Sequence, residues 1–482
     1  MSFTGAALAH HAATRPGQTA LVCGGASLTF AALQARVEAL ALQLHRRLPA
    51  ASSRQPRIGI FLEDPLQALL AFFAAGRAGG IALMLDTTWP GALCDQILAA
   101  SAPDLVIDAA AFPALTAGAE ERKETAGTPL PFPAPEDLFY AGFTSGSTGV
   151  PKGFARTHRS WMESFRLSAA AFGTSPQDKV LVCGGLVHSL HLYAAVEGLC
   201  AGAGVEVMPR FQPRAVARRL AQGGTTILYA TPTQLQLILR EVEAAPSLRL
   251  VLSSGAKLQP EDRQMLTRRL PGVRTCEFYG ASEVSFISLQ DGTAPEASVG
   301  RPFPGVEVEI RDGQGHVLPS GETGHLWVRS PLLFDRYICG GGEEVRWQDG
   351  WLTIGDRGWL DEAGFLYLAG RDKRMINSSG LNIFPEEVEK VLRAVPGVTA
   401  AAVFGAPDRL RGQRLVAAIW PEPEAADRLK DGGLLRRAVL TALGRARCPR
   451  AFLLFEAFPL TPGGKTDLPA LEKAVRARLQ TR

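Results

Sequence analysis

The chain has 482 residues, of which 46% are hydrophobic and 20% are charged, and its net charge is +4 at neutral pH. This length and composition predict an ordinary globular protein with two or more domains and a large buried core. The charged segments lack the interleaved aromatic residues that grip nucleic acid, so we expect no nucleic-acid partner.

Short apolar runs alternate with amphipathic stretches along the chain, which is an α/β pattern. The predicted elements of the first third are a helix from Thr29 to about His45, a strand at 57–62, a helix from Pro65 to Gly76, and strands at 81–85 and 105–107. Residues 112–136 are rich in Pro, Ala and Glu without periodicity, and they are predicted to form a loop. Further strands are predicted at 180–182, 204–208, 226–229 and 248–252.

The pattern changes after residue 306, where short strands and Gly-rich turns predict a small β subdomain up to residue 328. The tetrapeptide at 370–373 then marks a boundary. A helix at 385–394 and a strand at 399–404 follow it and predict a compact α+β unit. The predicted domains are therefore 1–371, which combines α/β subdomains with the small β subdomain, and a small mobile C-terminal domain at 372–482.

Charge is concentrated in the predicted C-terminal domain, where 19 Lys and Arg stand against 11 Asp and Glu from Lys373 onward. This excess suggests an anionic partner for the domain, although a solvated Arg-rich surface explains the same charges.

Targeting signals and metal motifs are absent from the sequence. No basic segment leads into an apolar run near Met1, so we expect no signal peptide. The most apolar stretch, 66–85, contains Arg77 and three glycines, which favours a buried helix and strand over a membrane span. The seven cysteines form no Cys-x-x-Cys pair, and His188 and His191 lack a third ligand. The sequence therefore predicts reduced thiols in a cytoplasmic protein and no zinc site.

Residues 140–153, YAGFTSGSTGVPKG, carry the strongest functional signal. Four glycines let the backbone approach a ligand closely, so that main-chain N–H groups can converge on phosphate oxygens. The lysine follows Pro151 and precedes Gly153, so this loop is not a Walker A motif. A flexible linker is the alternative, but linkers seldom follow an apolar run and end in a rigid Pro-Lys. Side-chain donors come from Thr144, Ser145, Ser147, Thr148 and Lys152.

This loop resembles the signature of the acyl-adenylate-forming superfamily, which comprises acyl-CoA synthetases, nonribosomal-peptide adenylation domains and luciferases. Further motifs follow in the family's order: YGASE at 279–283, WLTIGD at 351–356, GRDK at 370–373, GLNIFP at 380–385 and LTPGGK at 460–465. Ser282 and Ile354 each replace a usual threonine. Ordered matches that span essentially the whole chain make a chance resemblance negligible.

The resemblance implies that ATP and Mg²⁺ convert a carboxylic acid into an acyl-AMP. A transition state at phosphorus gathers negative charge, so catalysis depends mainly on positioning and electrostatics. Glu283 would hold the magnesium ion, a hard cation that favours carboxylate oxygen. Lys465 would bridge the substrate carboxylate and the ribose or α-phosphate. The plain alternatives are a surface charge for Glu283, a turn residue for Asp356 and a solvated tail lysine for Lys465.

The resemblance also assigns the nucleotide contacts. The phosphates would be held by Thr144, Ser145, Gly146, Ser147, Thr148, Gly149 and Lys152, with Thr148 counted among the catalytic residues. Further cofactor contacts are implied for Gly255, Ala256, Tyr279, Gly280, Ser282, Asp356 and Arg371. Of these, Tyr279 would stack on adenine, and Asp356 with Arg371 would fix the ribose hydroxyls.

A second half-reaction is implied, in which the acyl group passes to the thiol of CoA or of a carrier-protein phosphopantetheine. The C-terminal domain would swing about a hinge at Lys373, which brings Lys465 to the ATP in one pose and Gly380 to a pantetheine tunnel in the other. A glycine suits a tunnel wall because a side chain would narrow the channel. The alternative for Lys373 is an ordinary exposed linker lysine.

Two positions bear on the acid. His188 lies where amino-acid-activating domains carry an aspartate, which argues against an α-amino acid and implies a gating role at the carboxylate; a core histidine is the alternative. Lys257, in Ser-Ser-Gly-Ala-Lys at 253–257, could reach a polar ring substituent or be simply solvated. The Gly-Ala-Lys form resembles that of enzymes that adenylate hydroxybenzoates, and this resemblance favours an aryl acid such as a hydroxybenzoate over a fatty acid.

The leading hypothesis is a stand-alone acid–thiol ligase, as a monomer or homodimer. The alternatives are an adenylate-binding scaffold that has lost catalysis and a luciferase-like oxygenase. Intact Lys152, Glu283 and Lys465 argue against the scaffold.

Overall fold

A computed structural model describes residues 3–49, 54–120, 130–144, 151–342, 345–378, 381–408, 412–461 and 466–480. The chain divides into two compact units, one formed by residues 1–307 with 329–343 and the other by 308–328 with 344–482. Residues 308–328 are thus grouped with the C-terminal residues. The predicted domain boundary after residue 371 marks where the C-terminal domain would rotate, and it stays a prediction.

The secondary structure alternates between strands and helices in the first unit and is richer in strands in the second. The strands, in chain order, are β1 (Thr19–Cys23), β2 (Ala26–Thr29), β3 (Arg57–Phe61), β4 (Ile81–Met84), β5 (Leu105–Asp108), β6 (Leu138–Thr144), β7 (Lys152–Thr157), β8 (Lys179–Val182), β9 (Gly204–Val207), β10 (Ile227–Ala230), β11 (Leu250–Ser253), β12 (Arg274–Ala281), β13 (Ser285–Gln290), β14 (Arg301–Pro302), β15 (Glu307–Arg311), β16 (Gly324–Arg329), β17 (Arg336–Cys339), β18 (Arg346–Gln348), β19 (Trp351–Thr353), β20 (Asp356–Leu360), β21 (Leu366–Arg371), β22 (Ile376–Ser378), β23 (Leu381–Ile383), β24 (Val398–Asp408), β25 (Gly412–Pro421) and β26 (Ala451–Leu454). The α-helices are α1 (Ala6–Thr14), α2 (Phe30–His45), α3 (Pro65–Arg77), α4 (Gly91–Ser101), α5 (Ala111–Glu120), α6 (His158–Phe172), α7 (Ser189–Cys200), α8 (Pro213–Ala221), α9 (Pro232–Glu241), α10 (Pro260–Arg269), α11 (Pro385–Arg393), α12 (Ala426–Leu429), α13 (Gly433–Leu443) and α14 (Leu468–Gln480).

The α/β prediction is confirmed, and the helices predicted to begin near Thr29 and at Pro65 are present as α2 and α3. Each begins at a side-chain cap: the hydroxyl of Thr29 accepts from the N–H of Ala32, and the carboxylate of Asp64 accepts from the N–H of Gln67. The predicted loop at 112–136 is wrong in part, because α5 occupies its beginning.

The first unit contains two sheets. Nine described strands form one sheet in the order β14-β13-β12-β11-β10-β8-β9-β1-β2, and the pairs from β12 across to β1 are parallel. The other sheet has the order β17-β7-β6-β4-β3-β5, with antiparallel pairs β17–β7 and β7–β6 at one edge. Because the carboxyl ends of neighbouring parallel strands meet at one edge, the residues that follow β11 and β12 lie side by side.

The second unit also contains two sheets. Strands β18-β19-β16-β20-β21 form one, with β15 paired to β16. The other has the order β23-β22-β25-β24, with β26 parallel to β25. Alternate residues of β24 face opposite sides of this sheet: Val403 packs with α11 and α13, whereas Phe404 packs with α14.

All seven cysteines lie in the described residues and are free thiols, as predicted. Burial is the main reason that the pKa of each thiol lies above its ordinary value. For Cys183, burial raises the pKa to about 12. Among the described residues, no helix combines the length and apolar character needed to cross a membrane. The cellular location stays a prediction.

Candidate active site

Glu283 lies in the turn of a tight hairpin formed by β12 and β13. The N–H of Val284 donates to the carbonyl of Ala281 and closes the turn at 3.1 Å. Gly280 is needed beside it, because a Cβ there would lie 1.9 Å from the carbonyl oxygen of Ser285. The hairpin thus brings together the predicted residues Tyr279, Gly280, Ser282 and Glu283.

The turn is held from the segment around β17. The hydroxyl of Tyr337 donates to Oε1 of Glu283 at 2.8 Å. The N–H of Phe334 donates to the carbonyl of Glu283 at 2.7 Å. Both the backbone and the carboxylate of Glu283 are therefore fixed within the first unit.

Lys152 and Thr144 close the ends of the Gly-rich loop, because they are paired in the antiparallel β6–β7 ladder. The side chain of Lys152 is buried, and its ammonium lies 5.5 Å from the centroid of the Tyr337 ring. Tyr337 therefore contacts both Lys152 and Glu283. The other predicted loop residues, Ser145, Gly146, Ser147, Thr148 and Gly149, lie outside the described residues.

Arg156, which the sequence analysis missed, stabilises the turn that carries Glu283 through hydrogen bonds to backbone carbonyls. Its guanidinium donates to the carbonyls of Ser282 at 3.1 Å and Leu332 at 2.6 Å, and to the hydroxyl of Ser160 at 3.2 Å. Burial lowers the pKa of Arg156 to about 10, while nearby Tyr140, Tyr193 and Glu283 oppose that shift. The guanidinium thus stays charged at neutral pH and links two loop segments.

A buried polar cluster continues from Arg156 into α7. Tyr193 lies on this helix near Arg156 and one helical turn before Glu197, and burial raises the pKa of its hydroxyl well above the usual value. Glu197 is only 1% exposed, and its Oε1 accepts a long bond of 3.5 Å from the hydroxyl of Ser168. Burial raises the pKa of Glu197 to about 7, and the nearby hydroxyls of Thr174 and Ser168 oppose that shift in part.

The loop that carries Gly255 and Ala256 follows β11 and is tied down on two sides. The N–H of Leu258 donates to the Glu277 carboxylate at 2.6 Å, and the Lys257 ammonium donates to the carbonyl of Ser298 at 2.5 Å. Lys257 is therefore engaged with the backbone, so the prediction of a simply solvated lysine is wrong. Because β11 and β12 are parallel neighbours, this loop lies beside the segment that begins with Tyr279.

His188 directly precedes α7 and is half-buried. The next residue, Ser189, brings its hydroxyl oxygen to 3.2 Å from that of Ser282. The structure therefore places the start of α7 against the turn that carries Glu283.

Asp356 and Arg371 meet in the second unit, where they face each other across the β20–β21 pair. Nε of Arg371 donates to Oδ1 of Asp356 at 2.6 Å. The carboxylate is buried, whereas 55% of the Arg371 side chain is exposed. The predicted ribose-binding pair is thus brought together, and its role stays a prediction.

The residues on either side of Lys373 are anchored to different parts of the second unit. One carboxylate oxygen of Asp372 lies 3.2 Å from Nδ1 of His325 and the other lies 3.8 Å from the guanidinium of Arg357, both on the sheet that contains β16 and β20. The N–H of Asp372 also donates to the carbonyl of Gly355 at 2.9 Å. Arg374 pairs with Glu386 at 2.8 Å and Glu389 at 2.5 Å, both on α11. The Lys373 side chain, Gly380 and Lys465 lie outside the described residues.

Comparison with known proteins identifies this arrangement. The AMP-binding enzyme family matches residues 8–338, and the AMP-binding enzyme C-terminal domain matches residues 387–465. The chain belongs to the AMP-binding enzyme family. The resemblance to acyl-adenylate-forming enzymes is therefore confirmed, and the relatives of the chain are acyl-CoA ligases.

Two acyl-CoA ligases are similar to this chain over most of its length. It is 35% identical to the uncharacterized acyl-CoA ligase YhfT of Bacillus subtilis, over 97% of this chain and 98% of that protein. It is 31% identical to sulfoacetate–CoA ligase of Cupriavidus necator, over 75% of this chain and 70% of that protein.

Solved structures of o-succinylbenzoate CoA synthetase MenE from Bacillus subtilis are also similar. The complex with the acyl-adenylate OSB-AMP has a TM-score of 0.82 at 26% identity, over 96% of this chain and 97% of that chain. The complex with ATP and magnesium has a TM-score of 0.81 at 26% identity, over 95% of this chain and 98% of that chain.

Proposed function

We propose that this enzyme uses ATP to join a carboxylic acid to AMP and then transfers the acyl group to the thiol of CoA. The observation that carries the proposal is the contact of one tyrosine, Tyr337, with both Glu283 and Lys152. A carboxylate suited to a divalent cation and an ammonium suited to phosphate therefore lie within reach of one triphosphate.

In the first half-reaction, a carboxylate oxygen of the acid attacks the α-phosphorus of ATP. The bond from that phosphorus to the bridging oxygen of pyrophosphate breaks, and acyl-AMP and pyrophosphate form. Lys152, with Thr144 and the loop between them, would bind the β- and γ-phosphates of the leaving group. Lys465 would neutralise charge that develops between the carboxylate and the α-phosphate.

The residues around Glu283 fit a magnesium ion that arrives with ATP. Magnesium commonly keeps several waters and takes one or two protein carboxylates together with substrate phosphates. Among the described residues, no three His, Cys, Asp or Glu side chains form a dedicated metal cage. A single fixed carboxylate such as Glu283 suits this mode of binding. When bound, the ion would neutralise phosphate charge in the transition state.

Asp356 and Arg371 are proposed to bind the ribose hydroxyls, with Tyr279 on adenine beside the loop of Gly255 and Ala256. The buried Asp356 carboxylate is well suited to accept from hydroxyls, because Arg371 already holds its orientation. More than half of the Arg371 side chain is exposed, so a nucleotide could reach its guanidinium.

In the second half-reaction, the sulfur of a thiol attacks the acyl carbon. The thiol loses its proton, the bond from the acyl carbon to the AMP oxygen breaks, and AMP leaves. The names of the relatives favour CoA as the acceptor. The basic C-terminal residues suit its 3′-phosphate, but they also suit an acidic carrier protein, which stays the alternative acceptor.

The acid is proposed to be an aryl acid. Similarity to MenE, whose substrate is o-succinylbenzoate, supports this choice, whereas sulfoacetate, the substrate named for another relative, is not aromatic. His188 would meet the carboxylate end of the acid near the start of α7. For Lys257 to meet a ring substituent, its bond to Ser298 would have to be exchanged.

The decisive experiment is exchange of labelled pyrophosphate into ATP with a panel of benzoates, fatty acids and short sulfonated acids. We expect exchange with at least one aryl acid, and we expect Glu283→Gln to abolish it. Glu296→Gln, which changes an exposed carboxylate of the same unit, is the matched control and should exchange normally.

The same panel separates the alternatives. A scaffold would bind ATP without exchange, whereas an oxygenase would consume oxygen after adenylation. Adding CoA or a holo carrier protein to the active acid then identifies the acceptor by which of the two becomes acylated.

A further inference from the structure

Tyr337 is the side chain that connects the two ATP-handling groups of the first unit. Its hydroxyl donates to Oε1 of Glu283 at 2.8 Å, and its ring lies under the ammonium of Lys152 at 5.5 Å. The hydroxyl of Tyr337 thus contacts the negative charge of Glu283, and the face of its ring contacts the positive charge of Lys152.

The position of Tyr337 is set by the fold. Strand β17 pairs with β7, the strand that begins at Lys152, and Tyr337 lies opposite Phe154 in this ladder. The ring of Phe334 packs edge-on against that of Tyr337 with centroids 5.0 Å apart. Phe334 also holds the Glu283 carbonyl through its N–H. These contacts involve only residues of the chain, so the ring needs no nucleotide to be held in place.

We propose that Tyr337 is a positioning residue that sets the spacing between the Glu283 carboxylate and the Lys152 ammonium for a metal-bound nucleotide. The hydroxyl fixes the rotamer of Glu283 and occupies one site on Oε1, which leaves the rest of the carboxylate for the ion. The ring face attracts the ammonium and limits the freedom of a long, flexible side chain. This inference rests on the proposed function, in which Glu283 binds magnesium.

Two substitutions separate the two contacts. Tyr337→Phe keeps the ring and removes only the hydroxyl, so we expect the affinity for Mn²⁺ in the presence of ATP to fall about 10-fold, as for other partners of metal ligands. Affinity for ATP without a divalent cation should be unchanged. Tyr337→Leu removes the ring as well, so metal-free ATP should then also bind about 3- to 5-fold more weakly.

The readouts are equilibrium binding measurements on the full chain, independent of turnover. Electron paramagnetic resonance of Mn²⁺ measures metal binding with ATP, and calorimetry in the presence of a chelator measures metal-free ATP binding. Circular dichroism and the thermal midpoint report whether each variant is folded.

Tyr367→Phe is the matched control, because Tyr367 also donates its hydroxyl to a carboxylate, that of Asp361 at 3.1 Å, and stacks on an aromatic ring, Trp359. This substitution should change neither binding constant. A comparable loss in the control would mean that any tyrosine–carboxylate bond has the same effect and would overturn the assignment to Tyr337.

The outcomes distinguish this inference from the function on which it rests. If Tyr337→Phe binds Mn²⁺ as the unchanged enzyme does, or weakens metal-free ATP equally, Tyr337 does not position the carboxylate. If Glu283→Gln leaves Mn²⁺ binding intact, Glu283 is no metal ligand and the inference fails with it. If Mn²⁺ binding responds as expected but no acid supports pyrophosphate exchange, the positioning role stands and the proposed reaction is wrong.

Discussion

The turn at Glu283 and the segment around Lys373 are both parts of the predicted nucleotide machinery, but they are anchored in opposite ways. At Glu283, the carboxylate, its own carbonyl and the preceding carbonyl are each held by groups of the same unit. Around Lys373, Asp372 is tied to one sheet and Arg374 to a helix that covers another.

The difference suggests what each region is built to do. Contacts that converge on one residue from a single body hold a charge still, as transition-state stabilisation requires. Asp372 and Arg374 are held by different parts of the second unit, so the backbone of Lys373 between them is the place where we predict rotation. The four substitutions below test this contrast, starting with the largest expected effect.

Arg156→Met should destabilise the first unit by about 3–5 kcal/mol, because it leaves the carbonyls of Ser282 and Leu332 without their buried partner. The urea concentration at the midpoint of unfolding measures this loss. The matched control is Arg159→Met, whose exposed guanidinium pairs with Glu136 and should contribute less than about 0.5 kcal/mol. Equal midpoints for the two variants would contradict the bracing role of Arg156.

Glu197→Gln should remove the loss of folding stability that accompanies ionisation of Glu197 as the pH rises. The folded pKa of about 7 lies above the ordinary value of 4.5, so the unfolded chain ionises first as the pH rises. Stability should therefore fall between about pH 4.5 and 7, by up to about 3 kcal/mol in total.

Urea titrations at pH 5 and pH 8 measure this effect, and the advantage of the Gln variant should grow by most of that amount at the higher pH. The exposed Glu243→Gln should show no such growth. A constant difference between Glu197→Gln and the unchanged protein would show that the carboxyl already ionises at low pH in the folded state.

Lys373→Pro should preserve adenylation and reduce thioester formation by about 100-fold, the scale of a misplaced reacting group. Proline fixes its own φ and restricts Asp372 before it, so rotation at this point is blocked. Pyrophosphate exchange and acylation of CoA by supplied acyl-AMP measure the two steps separately. Lys373→Ala changes only the side chain and should support both steps, so a loss of transfer in that variant would point to the lysine itself rather than the backbone.

Gly370→Ala should disfavour the observed packing of the predicted hinge by about 1–2 kcal/mol. Gly370 has φ of +152°, and a Cβ there would lie 2.6 Å from Oε2 of Glu386 and 2.8 Å from the ring of Phe384. Faster hydrogen–deuterium exchange in α11 would report the change. At Gly321, φ is +87° and a Cβ would meet no atom within 4 Å, so Gly321→Ala isolates the backbone strain from the contact. Unchanged exchange in α11 for the Gly370 variant would contradict the expectation.

The sequence predicted the regular elements well where apolar periodicity was strong, as in α2, α3 and the parallel strands of the first unit. It missed α5 because Ala and Pro obscured a short pattern. Two signals were available: Phe112 and Leu115 are buried three residues apart, and Asp108 accepts from the N–H of Ala111 before the helix.

The motif residues were also predictable, because phosphate chemistry restricts which side chains can occupy such loops. The side chains that hold the motif residues in place, Arg156 and Tyr337, were not predictable. Arg156 meets Ser282 across 126 positions, and Tyr337 meets Glu283 across 54, so neither contact follows from local pattern. The grouping of residues 308–328 with the C-terminal residues likewise depends on tertiary packing.

The seven free cysteines have a practical consequence for the bench. Thiolates, not neutral thiols, attack chromogenic disulfides and alkylating agents, and every cysteine of this chain has its pKa raised by burial. The four buried cysteines, Cys23, Cys183, Cys276 and Cys448, should therefore contribute least colour in an assay that counts unreacted CoA sulfhydryls, and an enzyme-only blank measures what the three half-buried thiols add.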